Sequence, residues 1–239
     1  MRGYIMRFFA LYAILSPFTF SSVYTAPQPT YSPQNLIIAT DLDDVVLDRN
    51  KGSIAKLVFK KPGRFKKLYS QYKKRKNNNG SRGKKFGEGF YIHLKKNNEH
   101  KLADLIKKVC TCKKPKKKTV NILRNMASQG YHLFTATNIG SLFFAELQKK
   151  FPELFNNNFI QHGMTVDFLP EDVIEKPDIR YFQQLKKKLN PHGDKQILFI
   201  DDKLENVQSA RTCGLLAIQF KNHKQLKRDL HTYGICTCK

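Results

Sequence analysis

Leu36 to Asp48 reads LIIATDLDDVVLD, an apolar run followed by Asp41, Asp43, Asp44 and Asp48, four acids within eight positions. A strand buried on both faces of a parallel sheet is apolar along its whole length, as LIIAT is. In such sheets ligands sit beyond the carboxyl ends of the strands. Acids placed directly after the strand therefore stand where sites are built. Asp41 and Asp43, two apart on a loop leaving the sheet, can point into one crevice, where two carboxylates repel unless a divalent cation or a proton lies between them.

Outward from this stretch, three more apolar segments have strand character: YHLFTATN (Tyr131 to Asn138), NFIQHGMTVDFL (Asn158 to Leu169) and QILFIDD (Gln196 to Asp202). Helical patterns separate them. TVNILRNMASQG carries Val120, Leu123 and Ala127 near 3.6 spacing with a stop at Gly130, GSLFFAELQKKF opens after Gly140, and KPDIRYFQQLKKKLN ends at Pro191. NVQSARTCG closes at Gly214 before a short LLAIQF strand. Strand and helix alternating at this spacing predict an α/β fold, a three-layer Rossmann-like core with a parallel sheet covered on both faces.

One region departs from this pattern. Residues 49–118 hold 25 Lys and Arg against Glu88, Glu99 and Asp104, so +22 of the chain's formal +24 lies there. The sequence thus divides into a core of residues 36–48 and 119–239 and a basic insert, 49–118. Within the insert, Phe65, Leu68, Tyr69 and Tyr72, and again Leu102, Leu105, Ile106 and Val109, recur at helical spacing. Two amphipathic helices are expected there, separated by the turn-rich stretch Asn77 to Gly89. Hydrophobic content of 41% with 18 phenylalanines excludes disorder of the whole chain, although mean hydropathy is −0.50.

Residues 1–25 read as a signal peptide or an N-terminal anchor: Arg2 and Arg7, then the apolar FFALYAILSPFTF from Phe8 to Phe20, too short to span a bilayer comfortably. Export, to a periplasm or outside the cell, or retention by the uncleaved anchor, is the expectation, with no stable membrane span after signal removal. Residues 26–35 form a Pro-rich linker. Cys110 and Cys112, with Cys236 and Cys238, make two CTC pairs compatible with disulfides, free thiols or a zinc site; Cys213 reads as core.

Beyond the first acids, FIDD supplies Asp201 and Asp202, FTATN supplies Thr137 and Asn138, and EKPD supplies Lys176. All lie at strand or loop ends that converge in a parallel sheet. Carboxylate oxygens suit Mg²⁺, a hydroxyl and a helix N-terminus suit a phosphoryl oxygen, and an ammonium neutralises remaining charge.

In order, DLDDV, TN, KPD and IDDKLENV, followed by SARTCGLLAI, resemble the four motifs of the haloacid dehalogenase-like hydrolase superfamily over Leu36 to Phe220, leaving out the insert. The resemblance implies that Asp41 is a nucleophile forming an aspartyl-phosphate and Asp43 the general acid and base. It implies that Thr137 and Asn138 bind the phosphoryl group, with Lys176 stabilising its charge. Mg²⁺ would be held by Asp41, the Asp43 carbonyl, Asp201 and Asp202, with Asn206 either in support or capping a helix. The dehalogenase branch typically lacks the second acid, since a halide leaves without a proton; Asp43 therefore favours phosphatase chemistry. Where the superfamily usually has Gly-Thr after that acid, this chain has Asp44 and Val45.

The insert stands where the superfamily places a helical cap that selects substrate. The reading is a Mg²⁺-dependent phosphatase acting on the phosphomonoester of a phosphorylated small molecule. The alternative is a catalytically disabled binding protein attached through its insert to nucleic acid or another polyanion, such as an anionic surface.

Overall fold

The computed structural model describes residues 31–78, 87–168 and 172–237. The expected export segment, Cys238 and most of the turn-rich stretch of the insert lie outside them. Among the described residues no helix is long and apolar enough to cross a membrane.

The opening stretch forms β1 (Leu36–Thr40), buried at every position. It occupies the middle of a five-stranded sheet. On one side it pairs in parallel with β4 (His132–Gly140), which pairs with β5 (Ile160–Val166); on the other it pairs with β6 (Gln196–Asp201), followed by β7 (Leu216–Gln219). The order β5-β4-β1-β6-β7 means that the chain builds outward from β1 on one side, then crosses back to the other. Such a reversal opens a crevice at the carboxyl ends of the strands beside it, here β1, β4 and β6.

Alternation along β1 feeds two separate cores. Leu36 and Ile38 pack with Val120, Leu123 and Met126 of α5 (Lys117–Ser128), Phe144 and Leu147 of α6 (Ser141–Lys150), and Leu226 and Leu230 of α9 (His223–Thr232). Ile37 and Ala39 face Tyr181, Phe182 and Leu185 of α7 (Ile179–Leu189) and Val207 and Ala210 of α8 (Leu204–Thr212). This is the expected three-layer arrangement. Helices α5 and α8 stop at Gly130 (φ 92°) and Gly214 (φ 79°), left-handed positions that glycine occupies without a steric cost.

The insert is more structured than its sequence implied. Its ends meet in an antiparallel ribbon of β2 (Leu47–Arg49) and β3 (Lys113–Pro115), with Arg49 opposite Lys113. Between them run α1 (Lys51–Lys60), α2 (Pro62–Asn78), α3 (Glu88–Lys96) and α4 (His100–Cys110). Leu68, Phe90, Leu94, Leu102, Leu105 and Ile106 make a small core of their own. Tyr69, expected on the apolar face of α2, is 66% exposed. The core helix α5 begins at Lys117, inside the stretch assigned to the insert by charge, because its Val120, Leu123 and Met126 pack under the sheet.

Candidate active site

Asp41 follows β1 directly, and its N–H donates to the Ile200 carbonyl of β6 at 2.8 Å, which extends the sheet one residue further. Asp201 ends β6 and Thr137 lies in β4; both are buried, as is Lys176 before α7. Lys176 Nζ is 3.1 Å from Asp41 Oδ1 and 2.6 Å from Asp201 Oδ2, and donates to the Ala136 carbonyl at 2.7 Å. Three of the four motifs therefore meet at one ammonium, and Thr137 lines the same cavity as Asp41 and Asp43.

This convergence shapes the charges. Burial chiefly raises the Asp41 carboxyl, to a pKa of about 6; Lys176 opposes the rise, and Asp201 and Asp43 add to it. Burial works against the Lys176 ammonium, but Asp41 and Asp201 outweigh it and hold its pKa above the ordinary value. Asp202, half-buried, is raised by burial first and then by Asp201 and Asp44. Asp41 binds a proton more tightly folded than unfolded, so its contribution to stability is full below about pH 4 and is lost as pH rises through about 6. In EDTA, the Tm of the protein is expected to fall over that window relative to an Asp41→Asn variant followed by circular dichroism; parallel pH profiles would contradict the assignment.

Asp41, Asp201 and Asp202 each offer a carboxylate oxygen within 4.8 Å of one another. A cluster of hard oxygen donors at partly desolvated acids matches the requirements of Mg²⁺, so these residues fit that ion. Asn206 donates to both Asp201 oxygens, at 2.9 and 3.0 Å, from inside α8. It orients a candidate ligand and does not cap the helix, since Lys203 holds the capping position. Asn138 is also a strut: its amide accepts from Lys176 N and donates to Lys176 O, each at 2.9 Å. That reciprocal pair fixes the loop carrying the ammonium, although Asn138 also borders the cavity.

Asp44 adopts φ 61°, the left-handed conformation that glycine takes readily and Asp tolerates better than most residues. Its carbonyl accepts from Lys116 Nζ at 2.6 Å, while Val45 is buried in the core. The two departures from the superfamily pattern are thus accommodated by the loop.

The cavity, of about 540 Å³, also brings in residues from the insert that sequence reading missed: Arg49, Ile54, Glu88, Val109, Cys110 and Lys113. Lys113 Nζ lies 2.6 Å from Asp43 Oδ1. The Cys110 thiol is pushed up to about 12 by burial, which makes it a poor nucleophile. Glu88, at the start of α3, is buried and accepts from Leu142 N at 3.2 Å and Phe143 N at 2.8 Å. It therefore caps the N-terminus of α6 from across the insert boundary, so this helix end is taken by a carboxylate of the chain itself. Burial raises the Glu88 pKa against the pull of those two N–H groups.

A Cβ on Gly140 would overlap that carboxylate. Gly140→Ala and Glu88→Ala are expected to undo the same contact. Each should destabilise by about 1–3 kcal/mol, and the double variant should be less destabilised than the sum of the two, as read in urea melts. Additive effects would mean that the two sites are independent.

No family model matches the chain. A 121-residue stretch is 27% identical to the sesquiterpene phosphatase astK of Aspergillus oryzae, covering 49% of this chain and 56% of that relative. The chain thus spans about half the length of the curated relative it matches. Among solved structures, it is similar to a HAD family enzyme of Bacteroides thetaiotaomicron, with a TM-score of 0.57 and 13% identity over 82% of this chain and 98% of that one. The same enzyme in complex with magnesium and inorganic phosphate gives 0.52 and 13% over 78% and 94%. The L-2-haloacid dehalogenase of Xanthobacter autotrophicus with chloropropionic acid covalently bound gives 0.53 and 15% over 84% of each chain. Asp41, Thr137, Lys176 and Asp201 thus stand at the crevice of a five-stranded parallel sheet whose fold is similar to that of these haloacid dehalogenase-like enzymes.

Proposed function

We propose that the protein is a Mg²⁺-dependent phosphatase that hydrolyses a phosphomonoester through an aspartyl-phosphate on Asp41, with the helical insert as a cap over the site. The observation that carries this reading is the meeting of Asp41, Asp43 and Thr137 in one cavity, with Lys176 linking Asp41 to Asp201. An Asp41 oxygen attacks phosphorus, and the bond from phosphorus to the leaving oxygen breaks as Asp43 gives that oxygen a proton. Asp43 then takes a proton from water, whose oxygen attacks phosphorus and breaks the bond to Asp41, releasing phosphate and restoring both carboxyls. Thr137 and Lys176 hold the phosphoryl oxygens, and Asn138 and Asn206 keep Lys176 and Asp201 in place. Mg²⁺, held by Asp41, Asp201 and Asp202, supplies charge neutralisation for the transferring group when bound.

Structural likeness to a dehalogenase supports the fold and leaves the reaction open between two leaving groups. A halide leaves without a proton and has no use for Asp43, whereas an alkoxide needs one. Hydrolysis of p-nitrophenyl phosphate that requires Mg²⁺ supports the phosphatase; release of chloride from 2-chloropropionate without phosphate-ester hydrolysis would replace it with a dehalogenase.

A second reading, polyanion attachment through the insert, draws on one observation. Helix α1 buries no residue and exposes Phe59 at 85%, and no acidic residue occurs between Lys51 and Asn78. Salt-sensitive sedimentation with anionic vesicles supports that role, and indifference to vesicles and to DNA at low salt removes it. Attachment and hydrolysis are compatible in one molecule. Export, or anchoring through residues 1–25, belongs to the same proposal and would bring the catalytic unit to that surface.

A further inference from the structure

The phosphoryl-transfer residues leave part of the cavity's charge unexplained. Lys176 is engaged by Asp41 and Asp201. Arg49 and Lys113 line the same cavity on the insert side and stand directly opposite each other in the β2–β3 ribbon. Like charges in opposed cross-strand positions are destabilising, so this pairing weakens the ribbon that closes the insert. Asp43 offsets Lys113, whose side chain is only 7% exposed, at 2.6 Å. Arg49 makes no ion pair among the described residues.

Asp43 is also the group that meets the leaving oxygen in the phosphatase reading. An ammonium 2.6 Å from its carboxylate is, in that reading, beside the leaving group. Apolar Ile54 and Val109 from the insert and Ile139 and Phe143 from the core line the same space and can contact a carbon skeleton.

We propose, resting on the phosphatase reading, that the substrate is a phosphate ester whose leaving group carries a second anion, a carboxylate or a second phosphate. The opposed Arg49–Lys113 pair receives that anion, and these two residues determine specificity. An anion shared by the two cations relieves their repulsion and gives Arg49 an anionic partner; Arg49's planar fork suits either anion bidentately.

The test compares 2-phosphoglycolate and ethylene glycol bisphosphate with their neutral counterpart, 2-hydroxyethyl phosphate. Turnover uses the full chain with Mg²⁺, and binding is measured by calorimetry on Asp41→Asn protein, which needs no catalysis. At least one anionic probe is expected to show a kcat/KM and an affinity at least tenfold above the neutral ester, and which of them does distinguishes carboxylate from phosphate. Arg49→Met, at an exposed position, should bring that ratio down several-fold, and Lys113→Met should do the same if circular dichroism shows it folded. Equal kcat/KM and equal affinity for all three esters overturn the inference and leave the phosphatase reading intact. Preferential binding with no turnover of any ester overturns the phosphatase reading and keeps the anion site; neither binding preference nor turnover overturns both.

Discussion

Asp41→Asn is expected to abolish phosphate-ester hydrolysis, with kcat lowered by roughly 10⁴-fold or more, the scale seen when a nucleophile that acts as part of a unit is removed. In the proposed mechanism an amide oxygen cannot form the acyl-phosphate bond, and Thr137, Lys176 and Asp43 would serve a nucleophile that is no longer there. The fold should survive, because Asn matches Asp in shape and Lys176 keeps Asp201 at 2.6 Å. Steady-state kinetics with p-nitrophenyl phosphate, beside a melting curve showing the variant folded, checks both parts. Asp43→Asn should cost less, about 10² to 10⁴, since general acid and base help typically contributes that much and a good leaving group needs less of it. The loss should be smaller for an aryl phosphate than for an alkyl phosphate; the opposite order would remove Asp43 from the proton transfers.

The second large effect concerns stability. Lys176→Met takes away a buried ammonium, 2% exposed, that contacts two carboxylates. Asp41 and Asp201 are then left facing each other in a desolvated space. Removing one member of a buried ion pair typically costs about 3–5 kcal/mol, because the remaining charges stay buried without compensation. For a chain of this size that corresponds to a fall in Tm of roughly 10 °C. Mg²⁺ offers the same two acids an alternative cation, so millimolar Mg²⁺ should restore much of the loss, and more in the variant than in the parent. A Tm drop that Mg²⁺ leaves unchanged would show that these acids do not share an ion.

The Asp41 loop and its partners were legible because they combine two strong patterns. LIIAT can hardly be anything other than a buried strand, and acids at its exit are costly unless they have a task. The same logic found Asp201 after QILFI and Lys176 before α7, and the sheet brought them within hydrogen-bonding distance. Side-chain roles were less legible than positions. Asn138 and Asn206 were readable as site residues, but only coordinates show that one holds the Lys176 loop and the other steadies Asp201.

The insert was the least legible part, for a physical reason. Lys113 belongs to the run CKKPKKK, where five lysines occur within six positions and nothing local distinguishes one from the next. Its burial and its contact with Asp43 follow from the antiparallel pairing of β2 with β3, two three-residue strands joined across more than 60 residues of chain. Pairings so short and so distant in sequence have no periodic signature. Glu88 is similar: among so many cations an isolated acid reads as solvated, whereas it is buried on the N–H groups of α6. Helix α3 was missed because its sequence follows a Gly-rich stretch that argues for a turn.

The central claim is that a carboxylate at the end of β1 takes the phosphoryl group. Rapid acid quench of a single turnover with excess enzyme and Mg²⁺, followed by peptide mapping, tests it most directly. The account predicts a phosphorylated peptide spanning Leu36 to Asp48, with the group on Asp41 and its yield falling as free phosphate appears. Complete release of phosphate with no adduct at any time, in a protein whose Asp41→Asn variant turns over equally well, would contradict it.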